Sequence, residues 1–306
     1  MALPRLTKTF HRDTYPGISP TKSSLSQKGK TVLITGGGGG IGFEIARSFA
    51  KASAARVIII GRRSSVLDDA VKKLRGEFKK GTEFIARQGD IGSDDSVNAL
   101  WEFVHSKNIL VHVLVLNAVQ FLPKPDTLSM EKEELMQYLG VNVGGNFFMT
   151  TKFVKQPLRP AEQQLNLINV SSGGIHMYPC PYQTPYNTSK VTFTSMLGRI
   201  AEERPVEDIQ IISFHPGSLY SEATAKNVPR DFMKWDEFAL PADFSVWAAS
   251  PEASWLHGRF LWAHWDVDEL KADPEISKQL AQEKGYLKIG VQGLPSFSLA
   301  ELKALN

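Results

Sequence analysis

One cysteine, Cys180, stands in the 306 residues of the chain. A lone thiol closes no intramolecular disulfide and supports no cysteine-rich zinc site. It fits a reducing, cytoplasmic setting. Long apolar runs are missing too: nothing reaches the ~18 residues that a membrane-spanning helix needs. The N-terminus has no apolar core of the secretory kind, although Arg5, Lys8, His11 and Arg12 ahead of Asp13 leave a mitochondrial presequence open. Neither sign of charge dominates, with 35 basic and 32 acidic residues giving a net charge of +3. Basic clusters such as Arg62-Arg63 and Lys72-Lys73 are short, and no basic stripe interleaves with aromatics, which argues against nucleic acid as a partner. No His/Asp/Glu cluster has metal-ligand spacing, so no catalytic metal is expected.

What is present is core-forming material, at 42% hydrophobic residues. Residues 1–29, rich in Pro, Ser, Thr and Lys, read as an arm. From Lys30 onward, short apolar β-branched runs alternate with amphipathic stretches. Strands are predicted at 31–35, 56–60, 82–88, 111–116, 165–170, 209–214 and 258–262, and helices over 41–51, 66–78, 93–106, 132–155 and 186–203. Continuously apolar strands imply that both sheet faces are covered, and strand–helix alternation implies right-handed crossovers between parallel strands. The expected fold is a doubly wound, seven-stranded parallel α/β sheet with helices on both faces.

Seven residues between the first strand and its helix, Gly36-Gly37-Gly38-Gly39-Gly40-Ile41-Gly42, carry the strongest chemical signal. Without side chains a backbone can approach a pyrophosphate closely, and a helix N-terminus offers it free N–H groups and partial positive charge. A flexible linker would not sit between two strongly patterned elements. Gly36, Gly38, Gly39, Gly40, Ile41 and Gly42 are therefore candidate contacts of a dinucleotide, in a single catalytic domain over 30–306.

At the tip of the second strand, where this fold meets an adenosine ribose, the sequence reads Gly61-Arg62-Arg63-Ser64. No carboxylate is there to select a 2′-hydroxyl. Arg62, with Arg63 beside it, is placed to pair with a 2′-phosphate, which favours NADP(H). The alternative is that the arginines are solvated surface charges, Arg63 above all. Asp90, after the third strand, can accept from an adenine amino group or serve as a helix N-terminal acid.

Tyr186 and Lys190 stand four apart at the start of a predicted helix, on one face. Bringing a tyrosine pKa from about 10 to about 7 takes roughly 4 kcal/mol of differential interaction, which two close cations in a partly dry cleft can supply. Ser171-Ser172 end the fifth strand, and ligands of open parallel sheets bind beyond the carboxyl ends of the strands.

From about Lys30 to Asp266 the chain resembles the short-chain dehydrogenase/reductase family of single-domain type. The motifs are Thr35-Gly36 to Gly42, Asp90-Ile91, Asn117-Ala118, Asn142, Ser172, Tyr186 with Lys190, and Pro216-Gly217. The resemblance implies that Tyr186 is the general acid–base, Lys190 tunes it and holds the ribose, Ser172 polarises the substrate carbonyl and Asn142 positions a proton-relay water. Asn117 would brace the cofactor site, and Pro216, Gly217, Leu219 and Ser221 would form the segment at the nicotinamide carboxamide.

Two departures stand out. Val119 replaces the final glycine of the Asn-Ala turn. Ser172 lies fourteen residues before Tyr186, one more than the family's usual spacing, which leaves Ser171 and Ser172 both open as the polarising serine. The stretches 11–29, 171–176 and 262–270 resemble a filamentous-fungal subgroup rich in enzymes that look like those of secondary metabolism.

The resemblance further implies a mobile lid at about 218–240, a tail at about 267–306 and a homodimer or homotetramer. Leu219, Tyr220, Phe232, Met233 and Trp235 in the lid suggest an apolar substrate, though core packing accounts for some. His176 can touch substrate or form a structural hydrogen bond, and His215 reads as packed. The expected activity is NADP(H)-dependent hydride transfer at a ketone/alcohol carbon, as a ketoreductase of small to medium apolar or aromatic molecules. The alternatives are a redox-neutral isomerase or cyclase and a redox-inert dinucleotide sensor.

Overall fold

Five consecutive buried residues, Thr31–Thr35, form the central strand β1 of a computed structural model that describes residues 5–121, 126–226 and 228–297, and of Ala223 the backbone only. The remaining strands are β2 (Arg56–Gly61), β3 (Glu83–Gln88), β4 (Val113–Leu116), β5 (Leu165–Val170), β6 (Ile209–His215) and β7 (Arg259–Trp262). All pair in parallel, in the order β3-β2-β1-β4-β5-β6-β7. Between them run α1 (Gly40–Lys51), α2 (Ser64–Glu77), α3 (Asp94–Ser106), α4 (Lys132–Leu139), α5 (Asn146–Val154), α6 (Thr184–Glu203), α7 (Glu222–Ala225) and α8 (Ala239–Ala248), with α9 (Val267–Ala272) and α10 (Pro274–Gln282) after β7.

Side chains alternate across a strand, and the apolar runs divide accordingly. Val32, Ile34, Val57, Ile59, Val113 and Val115 join the core beneath α1, α2 and α8. Leu33, Ile58, Ile60, Leu114 and Leu116 join a second core beneath α3, α5 and α6. The doubly wound seven-stranded sheet expected from the sequence is the fold observed.

Three local differences have physical causes. The fourth strand starts at Val113 because both backbone groups of Val111 are taken by the Gln156 side chain, at 2.8 and 2.9 Å. The expected helix over 132–155 is broken by a π-helical turn at Gly140–Gly145. There a Cβ on Gly145 would lie 2.2 Å from the Ile91 carbonyl oxygen, so the helix passes directly over that backbone. Helix α8 is buried from Leu240 to Ala248, and a helix covered on every side has no polar stripe from which its period can be read.

Residues 5–29 of the arm lie against the chain. Ile18 and Leu25 are fully buried, Phe10 pairs with Trp265 in an antiparallel bridge, and the Tyr15 hydroxyl donates to Trp265 O (3.0 Å) and accepts from Val267 N–H (3.1 Å). Residues 1–4 of the arm, residue 227 of the lid segment and residues 298–306 of the tail lie outside the described residues.

Asp243 on α8 ties these parts together. Its carboxylate accepts from Ser48 Oγ on α1 (2.5 Å) and from Thr14 Oγ1 on the arm (2.6 Å). Burial raises its pKa, and the two hydroxyls act against that rise. Ser48→Ala leaves a buried carboxylate short of a donor and should lower the unfolding free energy by about 1–3 kcal/mol. Urea denaturation measures this, and an unchanged midpoint would show that the bond contributes nothing.

Candidate active site

In the observed strand order the chain leaves β1 toward β2 on one side and returns as β4 on the other. The crevice of such a sheet opens beyond the carboxyl ends of these two strands. Thr35 closes its floor. The Thr35 hydroxyl accepts from Asn117 N–H and Ala118 N–H, both at 2.9 Å, and donates to Val115 O at 3.3 Å. The Asn117 amide in turn donates to Thr35 O (3.0 Å) and Gly36 O (3.2 Å). Asn117 thus braces the glycine loop through its own side chain.

The loop needs its glycines for two separate reasons. Gly36 and Gly40 have φ of +67° and +53°, in the left-handed region. A Cβ on Gly42 would sit 2.3 Å from the Gly36 carbonyl oxygen, so helix α1 can begin over the loop only with glycine there. Gly38 packs toward Val66 of α2, while nothing lies within 4 Å of where a Cβ on Gly39 or Gly40 would be. Ile41 is half-buried against the core. No side chain caps the N-terminus of α1, whereas Ser93 caps α3. An open loop below an uncapped helix start has the shape and donor set of a pyrophosphate cradle.

Arg62 and Arg63 are exposed at the tip of β2, and neither makes an ion pair among the described residues. The Arg62 carbonyl accepts from Gln88 Nε2 at 3.0 Å, which fixes the backbone of the tip. Asp90 Oδ1 accepts from Gly92 N–H at 2.9 Å, inside the turn before α3, whose cap is Ser93. Ile91 is buried beneath the π-turn.

Three of the four expected catalytic side chains, Ser172, Tyr186 and Lys190, lie beyond β5 and on α6. Ser171 faces away: it is buried, with its Oγ 2.7 Å from Thr194 Oγ1. Ser172 caps a short 3₁₀ turn at Gly173–His176, where its Oγ accepts from Gly174 N–H at 3.1 Å, and its hydroxyl lies near enough to that of Tyr186 to act on the phenol's pKa. The extra residue between Ser172 and Tyr186 is therefore absorbed without turning Ser172 away. Lys190 is buried one helical turn on, its Nζ donating to Val170 O at 2.5 Å and lying 5.9 Å from the Tyr186 ring centroid.

Asn142 sits in the π-turn. Its side chain accepts from Gln120 N–H (2.8 Å) and donates to Gln120 O and Ser189 Oγ, both at 3.0 Å. It clamps the irregular segment after β4 to the start of α6. Its own carbonyl accepts from Asn146 Nδ2 at 2.9 Å.

The electrostatics differ from the expected lowering of the tyrosine pKa. Burial pushes the Tyr186 hydroxyl up to about 12, and the nearby Ser172 hydroxyl recovers only part of that. Burial also brings Lys190 down to about 8. As a residue Tyr186 is only half-buried, but its hydroxyl end is surrounded by protein. Burial of the hydroxyl dominates, because removing a phenolate from water costs more than the one hydroxyl acting against it returns.

Beyond β6, Pro216 is buried and Gly217 takes φ +99°. Leu219 is buried, bridged to Asp236, and its carbonyl accepts from Ser221 N–H (3.0 Å) and Thr224 Oγ1 (3.1 Å). The Ser221 hydroxyl caps α7 through Thr224 N–H at 3.1 Å. His176 accepts from Trp262 Nε1 at 2.9 Å and His215 packs on Trp262, so both serve the core. Burial brings His215 down to about 3, which keeps it neutral at ordinary pH.

Sequence reasoning missed Gln120, Ser189, Phe121 and Asp236. Phe121 meets the Tyr186 ring edge-on at 4.9 Å and stays 44% exposed. Its only signal was a large aromatic just past the Asn-Ala turn. A cavity of about 440 Å³ between α3 and α5, lined by Trp101, His105, Phe148 and Lys152, lies away from all these groups. Among the described residues no His/Cys/Asp/Glu group is arranged to hold a metal, and no helix is long and apolar enough to cross a membrane.

Residues 30–231 match the family model for short chain dehydrogenase. A short chain dehydrogenase/reductase, nsrO, of Aspergillus novofumigatus is 35% identical over 294 residues, covering 95% of this chain and 98% of its own. A short chain dehydrogenase/reductase of Claviceps purpurea is 30% identical over 292 residues, covering 95% of each. A 7α-hydroxysteroid dehydrogenase solved with NADH and 7-oxo glycochenodeoxycholic acid superposes with a TM-score of 0.70 at 24% identity, over 79% of this chain and 95% of its own. The β1–α1 glycine loop, the Ser172–Tyr186 pair and Lys190 thus stand in a chain that belongs to the short-chain dehydrogenase/reductase family.

Proposed function

We propose that the protein is an NADP(H)-dependent ketoreductase of small to medium apolar or aromatic molecules. The observation that carries this reading is the grouping of Ser172, the desolvated Tyr186 hydroxyl and buried Lys190 at strand ends that also hold an open glycine loop. The pyrophosphate would lie along Gly36 to Gly42, the ribose near Tyr186 and Lys190, and the carboxamide near Pro216, Gly217, Leu219 and Ser221. Bound nicotinamide supplies the hydride.

Everything else falls to the chain's own groups. With its pKa near 12, Tyr186 holds its proton throughout the neutral range and can donate it from Oη to a carbonyl oxygen becoming an alkoxide. Ser172 is a second donor to the same oxygen. As Tyr186 gives up its proton, the Lys190 ammonium stabilises the phenolate. Asn142 holds the start of α6, and hence Tyr186, against the backbone of Gln120.

Arg62 supports the choice of cofactor, since an exposed, unpaired guanidinium beside a missing carboxylate suits a 2′-phosphate. The mouth supports the substrate class. Phe121, edge-on to the Tyr186 ring, is exposed, as are Met177, Tyr178 and Tyr182 in the stretch leading into α6 and Phe232 and Met233 in the segment after β6. Large exposed apolar surface of this kind suits a flat, apolar partner. A place in fungal secondary metabolism is consistent with the relatives' sources.

Three measurements test the reading. Tyr186→Phe removes the proton donor and should cut NADPH-dependent reduction of aromatic ketones about 10²–10⁴-fold while NADPH still binds. Equal turnover by variant and wild type would remove Tyr186 from the chemistry. For pH, Lys190 is charged below about 8 and neutral above. The rate at subsaturating NADPH, which reports the free protein, should therefore fall as pH rises through about 8; a flat profile up to about pH 10 would contradict the role given to Lys190. Arg62→Ala should weaken NADPH by roughly tenfold or more and leave NADH nearly unaffected, as direct binding titrations would show. Equal weakening of both would take Arg62 away from the 2′-phosphate.

A further inference from the structure

A buried carboxylate, Asp236, sits at the base of the segment that follows β6, and it faces three ways. Its Oδ2 accepts from Ser218 N–H at 2.7 Å and pairs with His264 Nε2 at 2.9 Å. Its Oδ1 pairs with the Arg12 guanidinium at 2.9 Å. The side chain of Asp236 is 2% exposed, so these partners stand in for water. Burial alone would raise its pKa, but His264, the Ser218 N–H and Arg12 more than offset that and hold it below the usual carboxylate range.

The same carboxylate shapes the turn. A Cβ on Gly217 would fall 2.8 Å from Asp236 Oδ2, and Asp236 N–H returns a bond to Ser218 O at 2.8 Å. Leu219 and Asp236 form a parallel bridge. The two ends of the 218–236 segment are thereby joined at one point.

Arg12 comes to that point from 224 residues away in sequence. Its guanidinium also donates to Lys234 O at 2.9 Å, and its carbonyl accepts from Glu237 N–H at 2.8 Å. The arm is held in place on its other side: His11 N–H donates to His264 O at 2.8 Å, and Phe10 stacks on the His264 ring at 4.4 Å. Residues 10–12 therefore lie between the strand-end segment 264–265 and the returning segment 234–237.

We infer that the N-terminal arm is a positioning element for the nicotinamide end of the crevice, in which Arg12, acting through Asp236, sets the Gly217–Ser218 turn and closes the base of the 218–236 segment. The inference rests on the reading that these strand ends receive a nicotinamide dinucleotide. Without the guanidinium, Asp236 keeps its charge in a dry site with one fewer partner. It is then stabilised by drawing in water, which loosens its hold on Ser218.

The test compares Arg12→Ala, Arg12→Lys and Thr9→Ala. Thr9 Oγ1 ties the same arm to Glu269, at 2.5 Å and away from Asp236, so Thr9→Ala reports general loosening of the arm. Hydrogen exchange on the dinucleotide-free protein should show the Ser218 and Asp236 amides exchanging at least tenfold faster in Arg12→Ala, with Arg12→Lys closer to wild type and Thr9→Ala unchanged there. The NADPH dissociation constant should rise about five- to tenfold in Arg12→Ala, with a smaller change in kcat at saturation. Unaltered exchange at Ser218, or the same losses in Thr9→Ala, would overturn the inference. Wild-type protein that binds no NADPH would instead sink the functional reading, and the exchange data would still judge the Arg12–Asp236 staple by itself.

Discussion

One hydroxyl holds the floor of the crevice. Thr35 ends β1, and its Oγ1 takes the first two N–H groups beyond β4, which the ladder leaves unpaired where the two strands part. A parallel sheet must part somewhere if its connections wind to both sides, and the gap exposes backbone donors and acceptors. Thr35 and Asn117 satisfy them in place. The glycine loop then needs no side chains of its own for support, and its outer surface stays open. Asn142 and Gln120 repeat the device one layer up, fastening the chain after β4 to α6.

Desolvation is the second theme of the site. A tyrosine beside a lysine invites the expectation of a lowered phenol pKa, yet in this protein burial drives the two groups apart, the tyrosine up to about 12 and the lysine down to about 8. With these values the phenol keeps its proton throughout the neutral range. The same logic holds at Asp236 and Asp243, where buried carboxylates are kept by hydroxyl, imidazole and guanidinium partners drawn from distant parts of the chain. Each joins the arm to the body, Asp243 at helix α1 and Asp236 at the Gly217–Ser218 turn.

Much was legible without coordinates wherever the governing contacts are local. The inner strands announced themselves as apolar runs because they are buried along nearly their whole length, unlike the edge strand β3. The relation of Tyr186 to Lys190 follows from helical geometry alone. Other features were not legible, for equally physical reasons. Helix α8 has no polar face. The start of β4 is set by Gln156, a side chain beyond the following helix pair. The choice between Ser171 and Ser172 depended on whether Thr194 takes one of them, and spacing along the chain cannot report that.

By itself, then, the amino-acid order determined the layered parallel fold, the loop without side chains at the first strand–helix junction, the missing carboxylate at Arg62 and the helical pairing of Tyr186 with Lys190. All of these are written in short stretches whose meaning is set by backbone geometry. Tertiary structure decided which serine faces the tyrosine, how far burial moves its pKa, that Phe121 lies against its ring, and that Arg12 reaches Asp236. Those outcomes depend on water being excluded from groups brought together from far apart, and exclusion of water is a property of the packed chain alone.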